Sequence, residues 1–304
     1  MTERVDVFGD GRCTLYCGDC LEVMASMPDD SVDLVFGSPP YEDCRTYGIG
    51  FALEGQAWVD WMVNVVEESL RVCRGLVAFV VEGKTRKFAW SATPVLLMAD
   101  LHRAGITLRK PPIYSRWGVP GSGGPDWLRN RYEFVVCASR PGQLPWSETT
   151  AMGHPPKYGP GGHPSNRRRS GHRMKIRAGH RDGSRQYRDS DGRDVNEFQS
   201  YKPPLIANPG NIIDCGAAGG GNIGNKLAHE NEAPFPESLA EFFIRSFCPP
   251  GGTTLDPYSG SGTTMSVALH HSRKTIGIDV RQSQIDLAER RLRMADGQSL
   301  FSEV

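Results

Sequence analysis

The chain has 304 residues, and its 35 basic residues are balanced by 35 acidic ones, so the formal net charge is zero. This length accommodates one large domain, or one domain with a substantial insert, and either buries a core without disulfide or metal staples. We find no run of about 18 apolar residues that would span a membrane. We also find no secretory segment, so we expect a cytoplasmic protein with reduced cysteines.

Cys13, Cys17 and Cys20 form the one cysteine cluster that suggests a metal site. No second Cys or His pair stands at ligand spacing nearby, and the segment alternates as a strand does. We therefore predict that the protein holds no metal.

Residues 13–140 alternate apolar runs with helical patterns. The sequence predicts helices at about Gln56–Cys73 and Trp90–Ala104, between strands that read CTLYCGD, VDLVFGS, LVAFVVEG and RYEFVVCAS. Such continuous apolar runs are typical of strands that are buried on both faces. This part of the chain therefore predicts an α/β sheet.

The motif Ser38-Pro39-Pro40-Tyr41 follows the strand VDLVFG. Open α/β sheets bind their ligands at the carboxyl ends of strands, so the motif lies in a position suited to a site. Two prolines fix the backbone and remove two N–H donors, which leaves carbonyl oxygens for a partner that brings its own donors. Tyr41 offers a flat face for stacking. The alternative is a Pro-Pro turn that caps a strand.

Residues 141–228 interrupt the α/β pattern and are rich in Gly, Pro, Arg and Ser. Between residues 154 and 193, eleven Lys and Arg stand against three Asp, so the neutral total hides a strongly basic segment. Such a segment neutralises the phosphates of nucleic acid. The alternative is a solvated, disordered loop with no sequence preference.

The α/β pattern returns from Glu237. A strand TTLD leads into the glycine-rich turn Asp256–Thr264, and the next strand ends at Asp279, about twenty residues on. Glycines allow a tight turn and close approach of a ligand, and the acid is placed to accept hydrogen bonds from ribose hydroxyls. A nucleoside-type cofactor and an ordinary strand-to-helix turn both fit. We expect the two α/β parts to form one doubly wound sheet of about seven strands.

These segments resemble the amino-group DNA methyltransferases. LDPYSGSGTT is similar to their motif I, usually written LDPF-x-GSGTT, with Tyr258 in place of the more common Phe. Three further segments resemble parts of this family, namely LYCGDCLEVMASMPDDSVDLVFGSPPY, HENEAPFPESLAEFFIRSF and GIDVRQSQIDLAERRL. The segment RYEFVVCASRPG looks like the last strand pair of the family. The order, with SPPY before GSGTT, matches the permuted β class. The resemblance implies a circularly permuted, Rossmann-like fold that uses S-adenosyl-L-methionine.

The resemblance also implies roles for individual residues. The turn would wrap the methionine part of the cofactor, Asp279 would hold its ribose, and Asp19 and Cys20 would lie near its adenine. The full implied cofactor set is Asp19, Cys20, Phe235, Pro236, Asp256, Pro257, Tyr258, Gly260, Gly262, Thr263, Thr264, Asp279 and Val280.

The implied catalytic residues are Ser38, Pro39, Pro40 and Tyr41. Our hypothesis is that the Ser38 hydroxyl and the Pro39 carbonyl accept hydrogen bonds from the amino group of a base stacked on Tyr41. The basic segment lies where β-class enzymes recognise their target. We expect its DNA contacts to come from Arg167, Arg168, Arg169, Arg173, Lys175, Arg177, Arg181, Arg185 and Arg188.

On this interpretation residues 1–140 form the catalytic half, 141–228 a target-recognition insert and 229–304 the cofactor half. Family members with Ser at the first motif position mostly methylate N4 of cytosine, and those with Asp mostly N6 of adenine. Ser38 therefore favours cytosine, with adenine as the alternative.

Other readings of the chain stay open. A non-catalytic DNA-binding module with a degenerate fold is one, and an RNA or protein methyltransferase is another. We expect a prokaryotic or phage-type, nucleoid-associated enzyme that acts on double-stranded DNA with base flipping. We expect it to form a homodimer and to recognise a short DNA site or to have low sequence specificity. A restriction endonuclease is a potential partner.

Overall fold

The structure is a computed structural model that describes residues 3–42, 51–117, 123–156, 187–188, 194–195, 205–216 and 234–299. The chain divides into two compact units, one made of residues 1–151 with 210–304 and the other of residues 152–209. Among the helices of the described ranges, none is long and apolar enough to cross a membrane.

Strands and helices alternate along most of the chain. In order they are β1 (Glu3–Asp6), β2 (Cys13–Cys17), α1 (Cys20–Ala25), β3 (Val32–Gly37), α2 (Gly55–Val72), β4 (Cys73–Val81), β5 (Thr85–Arg86), β6 (Ala89–Trp90), α3 (Thr93–Arg103), β7 (Thr107–Leu108), β8 (Ile113–Trp117), β9 (Tyr132–Ser139), β10 (Tyr187–Arg188), β11 (Asp194–Val195), β12 (Ile212–Gly216), α4 (Glu237–Phe247), β13 (Thr253–Asp256), α5 (Thr263–His270), β14 (Lys274–Asp279) and α6 (Gln282–Ser299).

The larger unit is built on one ten-stranded sheet in the order β1-β2-β14-β13-β3-β4-β9-β8-β12, with β7 also paired to β9. The neighbours β2, β14, β13, β3 and β4 are all parallel, and β9 runs antiparallel to β4. The predicted mostly parallel α/β sheet is therefore confirmed. It exceeds the expected number of strands because the short strands β1, β7 and β12 pair at its periphery.

The helices cover both faces of the sheet, which is why its central strands are apolar throughout. Alternate residues point to opposite faces, so Val35 of β3 joins the cluster that contains Trp58 of α2. The next residue, Phe36, joins the opposite cluster and stacks on Phe243 of α4 with ring centroids 4.7 Å apart. Both layers are thus fixed by the same strand.

One predicted helix boundary differs from the structure, and one strand lies within the predicted insert. The helix expected to start at Trp90 is wrong at that end, because Trp90 pairs with Thr85 in the β5–β6 hairpin and α3 begins at Thr93. The insert was predicted to span residues 141–228, and β12 falls within that range. β12 nevertheless pairs with β8 in the large sheet.

In the smaller unit the structure describes the antiparallel pair β10–β11 and a bridge between His154 and Ala207. The wider domain boundaries stay a prediction.

Candidate active site

The carboxyl ends of five parallel strands lie side by side along one edge of the sheet. In spatial order these ends are Cys17, Asp279, Asp256, Gly37 and Val81. The chain proceeds from β13 to β14 on one side and from β3 to β4 on the other, so the strand order reverses between β13 and β3. Such a reversal opens a crevice at the strand ends. The Gly-rich turn and the Pro-Pro loop, far apart in sequence, therefore flank one crevice.

Gly37 and Asp256 are in close contact across this reversal. A Cβ atom at Gly37 would overlap the Asp256 carboxylate, so a larger residue at position 37 would displace that side chain. Glycine is needed here because the Pro-Pro loop leaves β3 directly against Asp256 of the neighbouring strand. The Ser38 loop thereby begins within contact distance of the turn that follows β13.

Asp256 is buried beside Ser259 in the turn. Its Oδ1 accepts a hydrogen bond from the Tyr258 N–H at 3.0 Å. Burial raises the pKa of Asp256 to about 7, and hydrogen bonding by Thr264 and by the Tyr258 N–H opposes that rise. Within the described residues, the buried hydroxyl of Ser259 has no hydrogen-bond partner. Buried polar atoms nearly always have partners, so this hydroxyl fits a polar ligand.

The turn itself is shaped by two glycines with positive φ, Gly260 at 48° and Gly262 at 78°. Gly262 is the N-cap of α5, and a Cβ atom there would lie 3.2 Å from the Cβ of Ala288. The Gly260 N–H donates to Asp279 Oδ2 at 3.1 Å, while Asp279 Oδ1 accepts from the Arg281 N–H at 2.9 Å. Asp279 therefore ties the end of β14 to the turn.

A buried arginine that we did not predict also holds this turn. Arg291 of α6 donates to the Ser261 carbonyl at 3.2 Å and to Thr263 Oγ1 at 3.0 Å. Its other nitrogen forms a 2.6 Å ion pair with Glu237, the first residue of α4. Arg291 is fully buried, and its contacts link α4, α6 and the turn.

The segment before α4 packs beside the turn. Phe235 meets Phe36 edge to face with centroids 5.4 Å apart, and Pro236 is the buried N-cap of α4. Pro257 and Thr264, both in the predicted cofactor set, are buried in the turn and in the first residues of α5. Phe235 therefore packs on β3, next to the turn that follows β13.

The opposite flank of the turn carries the residues implied to lie near adenine. Asp19 is the exposed N-cap of α1 and accepts from the Leu21 N–H at 2.9 Å. The Cys20 thiol lies 3.6 Å from the Tyr258 hydroxyl, and burial raises the pKa of Cys20 to about 12. Burial thus favours the neutral form of the Cys20 thiol. Val280 is about half exposed directly after β14.

The Ser38 hydroxyl is oriented by its neighbours. Its oxygen lies 3.1 Å from the Val80 carbonyl and 3.4 Å from the Tyr41 hydroxyl. A hydroxyl has one proton and two lone pairs. Because the carbonyl can only accept, the proton goes to Val80, and the lone pairs of Ser38 remain available as acceptors. The side chain is thus arranged as a hydrogen-bond acceptor.

The rest of the loop is anchored on helices and strand ends. The Pro40 carbonyl accepts from the buried indole N–H of Trp58 at 2.9 Å, which leaves the carbonyl of buried Pro39 as the other candidate acceptor. After the loop, the buried Glu42 carboxylate accepts from the Gly55 N–H at 2.8 Å and from that of Lys84 at 3.2 Å. Neither Trp58 nor Glu42 was predicted from sequence.

Tyr41 is fixed by a third unpredicted contact. Its hydroxyl donates to Glu133 Oε2 at 2.7 Å, and Glu133 Oε1 forms a 2.7 Å ion pair with Arg116. Burial and the negative charge of Glu133 raise the pKa of Tyr41 well above its usual value. The phenol therefore stays protonated and donates, and its ring has one orientation.

Of the residues predicted to contact DNA, the structure describes the backbone of one. Arg188 lies in β10, and its side chain is not described. Eight of the nine lie outside the described residues, namely Arg167, Arg168, Arg169, Arg173, Lys175, Arg177, Arg181 and Arg185.

The chain is similar to known DNA methyltransferases in sequence. Residues 32–290 match the model of a DNA methylase family, N6_N4_Mtase. The chain is 28% identical over 272 residues to the orphan methyltransferase M.BamHII of Bacillus amyloliquefaciens, an alignment that covers 87% of this chain and 90% of the relative. It is 24% identical over 292 residues to the DNA adenine methyltransferase YhdJ of Escherichia coli (strain K12), covering 95% and 85%.

Among solved structures, the PvuII DNA methyltransferase (cytosine-N4-specific) superposes with a TM-score of 0.63 at 20% identity, covering 96% of this chain and 93% of that one. This likeness shows a shared fold. The family model covers most of the chain, including both the Pro-Pro loop and the Gly-rich turn. The chain therefore belongs to the N6/N4 family of DNA methyltransferases, whose cofactor is S-adenosyl-L-methionine and whose substrate is DNA.

Proposed function

We propose that the protein methylates the exocyclic N4 amino group of cytosine in a base turned out of duplex DNA. The observation that carries this proposal is the Ser38 hydroxyl, which donates its proton to Val80 and keeps its lone pairs as acceptors, directly after Gly37, which abuts the Asp256 carboxylate. A neutral acceptor at this point suits an amino group, which brings two donors and no charge.

The residues around the Gly-rich turn fit S-adenosyl-L-methionine. The buried Ser259 Oγ lacks a partner among the described residues, and the cofactor carries ammonium and hydroxyl donors that would supply one. Asp279 suits the ribose. We assign the contacts to Asp19, Cys20, Phe235, Pro236, Asp256, Pro257, Tyr258, Gly260, Gly262, Thr263, Thr264, Asp279 and Val280. When bound, the cofactor supplies an electrophilic methyl group on a positively charged sulfur.

The protein's task is then to aim a poor nucleophile. The lone pair of an aromatic amino group is delocalised into the ring. Hydrogen bonds from the two amino hydrogens to Ser38 Oγ and the Pro39 carbonyl favour a pyramidal nitrogen with a localised lone pair. The contact of Trp58 with Pro40 holds these acceptors in place. Orientation of this kind contributes much of the acceleration, and the same acceptors stabilise positive charge developing on nitrogen.

Tyr41 supplies the platform for the target base. Its ring is held by the hydroxyl contact with Glu133, whose charge is balanced by Arg116. A base that leaves the helix loses its stacking neighbours, and an aromatic side chain replaces part of that energy. The Tyr41 phenol stays protonated, so it adds no second negative charge beside Glu133.

Methylation of adenine N6 is the second candidate, because the Escherichia coli relative is a DNA adenine methyltransferase. Both amino groups would make the same two hydrogen bonds, so the chemistry of Ser38 alone discriminates weakly. The first motif position and the shared fold with a cytosine-N4-specific enzyme support cytosine.

The remaining proposals concern partners. We propose that the insert, predicted at residues 141–228, contacts DNA through its nine named basic residues, and that binding weakens steeply with salt. The neutral total charge requires acidic surface elsewhere, which would keep the other faces away from DNA. A homodimer, a nucleoid location and a cognate endonuclease stay predictions.

The purified protein can be tested with S-adenosyl-L-methionine labelled in its methyl group and mixed-sequence duplex DNA. We expect the label in N4-methylcytosine after digestion to nucleosides. Ser38→Ala should bind the cofactor normally in calorimetry and lose transfer. Cofactor binding by the wild type without any transfer would instead support a non-catalytic DNA-binding module.

A further inference from the structure

A short hairpin beside the catalytic loop presents an exposed aromatic ring. Strands β5 and β6 are joined by a two-residue turn made of Lys87 and Phe88, and the Phe88 side chain is 70% exposed. Both turn residues have positive φ, 47° at Lys87 and 63° at Phe88. Two-residue hairpins of this kind prefer Asn-Gly. A phenylalanine here adopts an unfavourable backbone conformation while most of its side chain stays exposed.

Phe88 is part of a larger apolar tip. Its ring meets Trp127 edge to face, with centroids 5.5 Å apart, and Trp127 is itself 40% exposed. The neighbouring Leu128 is 93% exposed. We call these three residues the aromatic tip. Isolated exposed apolar residues need no explanation, but a contiguous group marks an interaction surface.

Cations surround the aromatic tip. The hairpin segment 84–90 contains three cations and no acid, and the segment 126–131 contains two cations and one acid. Arg86, Lys87, Arg129 and Arg131 are exposed. Aromatic rings among cations are typical of surfaces that bind nucleic acid, where the cations neutralise phosphates and the rings stack on bases. The centres of protein–protein interfaces are depleted of lysine, so the charge favours nucleic acid over a second protein.

The aromatic tip is connected to the active site by hydrogen bonds. Glu82, directly after β4, accepts from the Trp90 indole at 3.3 Å and from the Asn130 amide at 3.1 Å. The base of the hairpin and the segment that carries Trp127 are thus joined at one strand end. The Lys84 N–H in turn donates to Glu42, which follows Tyr41 by one residue. A DNA strand that delivers a base to Ser38 would pass close to this surface.

We propose that the aromatic tip, with Phe88 foremost, stacks on DNA bases beside the target base when that base leaves the helix. The inference rests on the proposed transfer to a base turned out of duplex DNA. It assigns DNA contact to residues 84–90 and 126–131, outside the predicted recognition insert. The unfavourable turn conformation is retained because the exposed ring has a partner in the complex.

The test compares binding of a fluorescein-labelled mixed-sequence duplex at several salt concentrations. Phe88→Gly relieves the positive φ, so its Tm should equal or exceed that of the wild type, and reduced binding cannot be attributed to misfolding. We expect its Kd to rise roughly 5-fold to 100-fold, as for a lost base–aromatic stack, with an unchanged salt slope. Phe88→Trp should bind as the wild type does.

Two controls define the surface. Lys87→Ala should reduce the slope of log affinity against log salt by about 1, as expected for a phosphate contact. Met294→Ala removes an exposed apolar side chain of α6, 51% exposed, and it should change nothing. Wild-type affinity in Phe88→Gly would overturn the proposal. Loss of self-association with unchanged DNA affinity would also overturn it and assign the surface to a second copy of the chain.

The nucleosides from the methyl-transfer reaction described above test the proposed function separately. N6-methyladenine in place of N4-methylcytosine would refute the choice of base and leave an effect of Phe88→Gly on DNA affinity standing. N4-methylcytosine together with unaltered DNA binding by Phe88→Gly would support the choice of base and refute the role of Phe88.

Discussion

Tyr41 combines a ring and a hydroxyl whose contributions can be separated by two substitutions. Tyr41→Phe keeps the ring and removes the 2.7 Å hydrogen bond to Glu133. Hydrogen bonds to charged groups contribute about 1.5–3 kcal/mol. Glu133 keeps its ion pair with Arg116, so we expect a loss near the lower end of that range in the free energy of unfolding.

We also expect the two substitutions of Tyr41 to differ in their effect on catalysis. Tyr41→Phe retains the stacking face, so its single-turnover rate should fall by less than about 10-fold. Tyr41→Ala loses the stack itself, at about 1–3 kcal/mol per base, together with the buried hydrogen bond. We expect it to be far slower than Tyr41→Phe, while both variants bind the cofactor with unchanged affinity.

The assay is single-turnover methyl transfer with enzyme in excess over DNA, combined with urea unfolding and cofactor calorimetry. A Tyr41→Ala variant that keeps the wild-type rate would refute the stacking role. Equal losses in Tyr41→Phe and Tyr41→Ala would show that the hydroxyl, rather than the ring, carries the effect.

Three further variants test the supports of the site. Burial raises the pKa of Asp256 from 3.8 to about 7, so the native state keeps a proton that the unfolded chain has lost. The free energy of unfolding should fall between about pH 4 and pH 7, by up to about 4 kcal/mol, and in urea titrations Asp256→Asn should remove that part of the slope. Arg291→Met leaves Glu237 unpaired; since Glu237 is one-third exposed, we expect about 3 kcal/mol or less of destabilisation, with weaker cofactor binding in calorimetry. Trp58→Phe frees the Pro40 carbonyl and should lower kcat about 10-fold to 100-fold at an unchanged cofactor Kd.

The sheet and its site could be predicted because their signals are local. Continuous apolar runs followed by Pro-Pro or Gly-rich turns indicate strands that end at a ligand site. The parallel arrangement then brings Ser38 and Asp256 to one edge, although more than two hundred residues separate them. The sequence therefore predicts which loops meet, since strand direction decides it.

The supports of these loops could not be predicted, because they depend on register and packing. Glu133 interrupts the apolar strand YEFVV, and a buried charge signals a partner. Its partner Tyr41 is 92 residues away and becomes a neighbour only through the pairing of β9 with β4. The many charged residues of α6 suggest an exposed helix surface. Arg291 of that helix is nevertheless fully buried, where it donates to the Ser261 carbonyl of the turn.

The differences in element boundaries have similar causes. Trp90 and the following apolar residues have helical spacing, so the predicted helix begins at Trp90, which is the last residue of the β5–β6 hairpin. β12 is a short apolar run within a polar segment, and only its pairing with Ile113–Trp117 makes it a strand of the large sheet. Pairing between distant segments overrides local pattern in both places.

The central claim is transfer to N4 of cytosine from the Ser38 loop. The most direct measurement is nucleoside mass spectrometry of DNA from a host without DNA methylation that expresses the protein. Parallel cultures should express Ser38→Ala. We predict N4-methylcytosine with the wild-type protein and none with Ser38→Ala. N6-methyladenine in the wild-type sample, or N4-methylcytosine that persists with Ser38→Ala, would contradict the account.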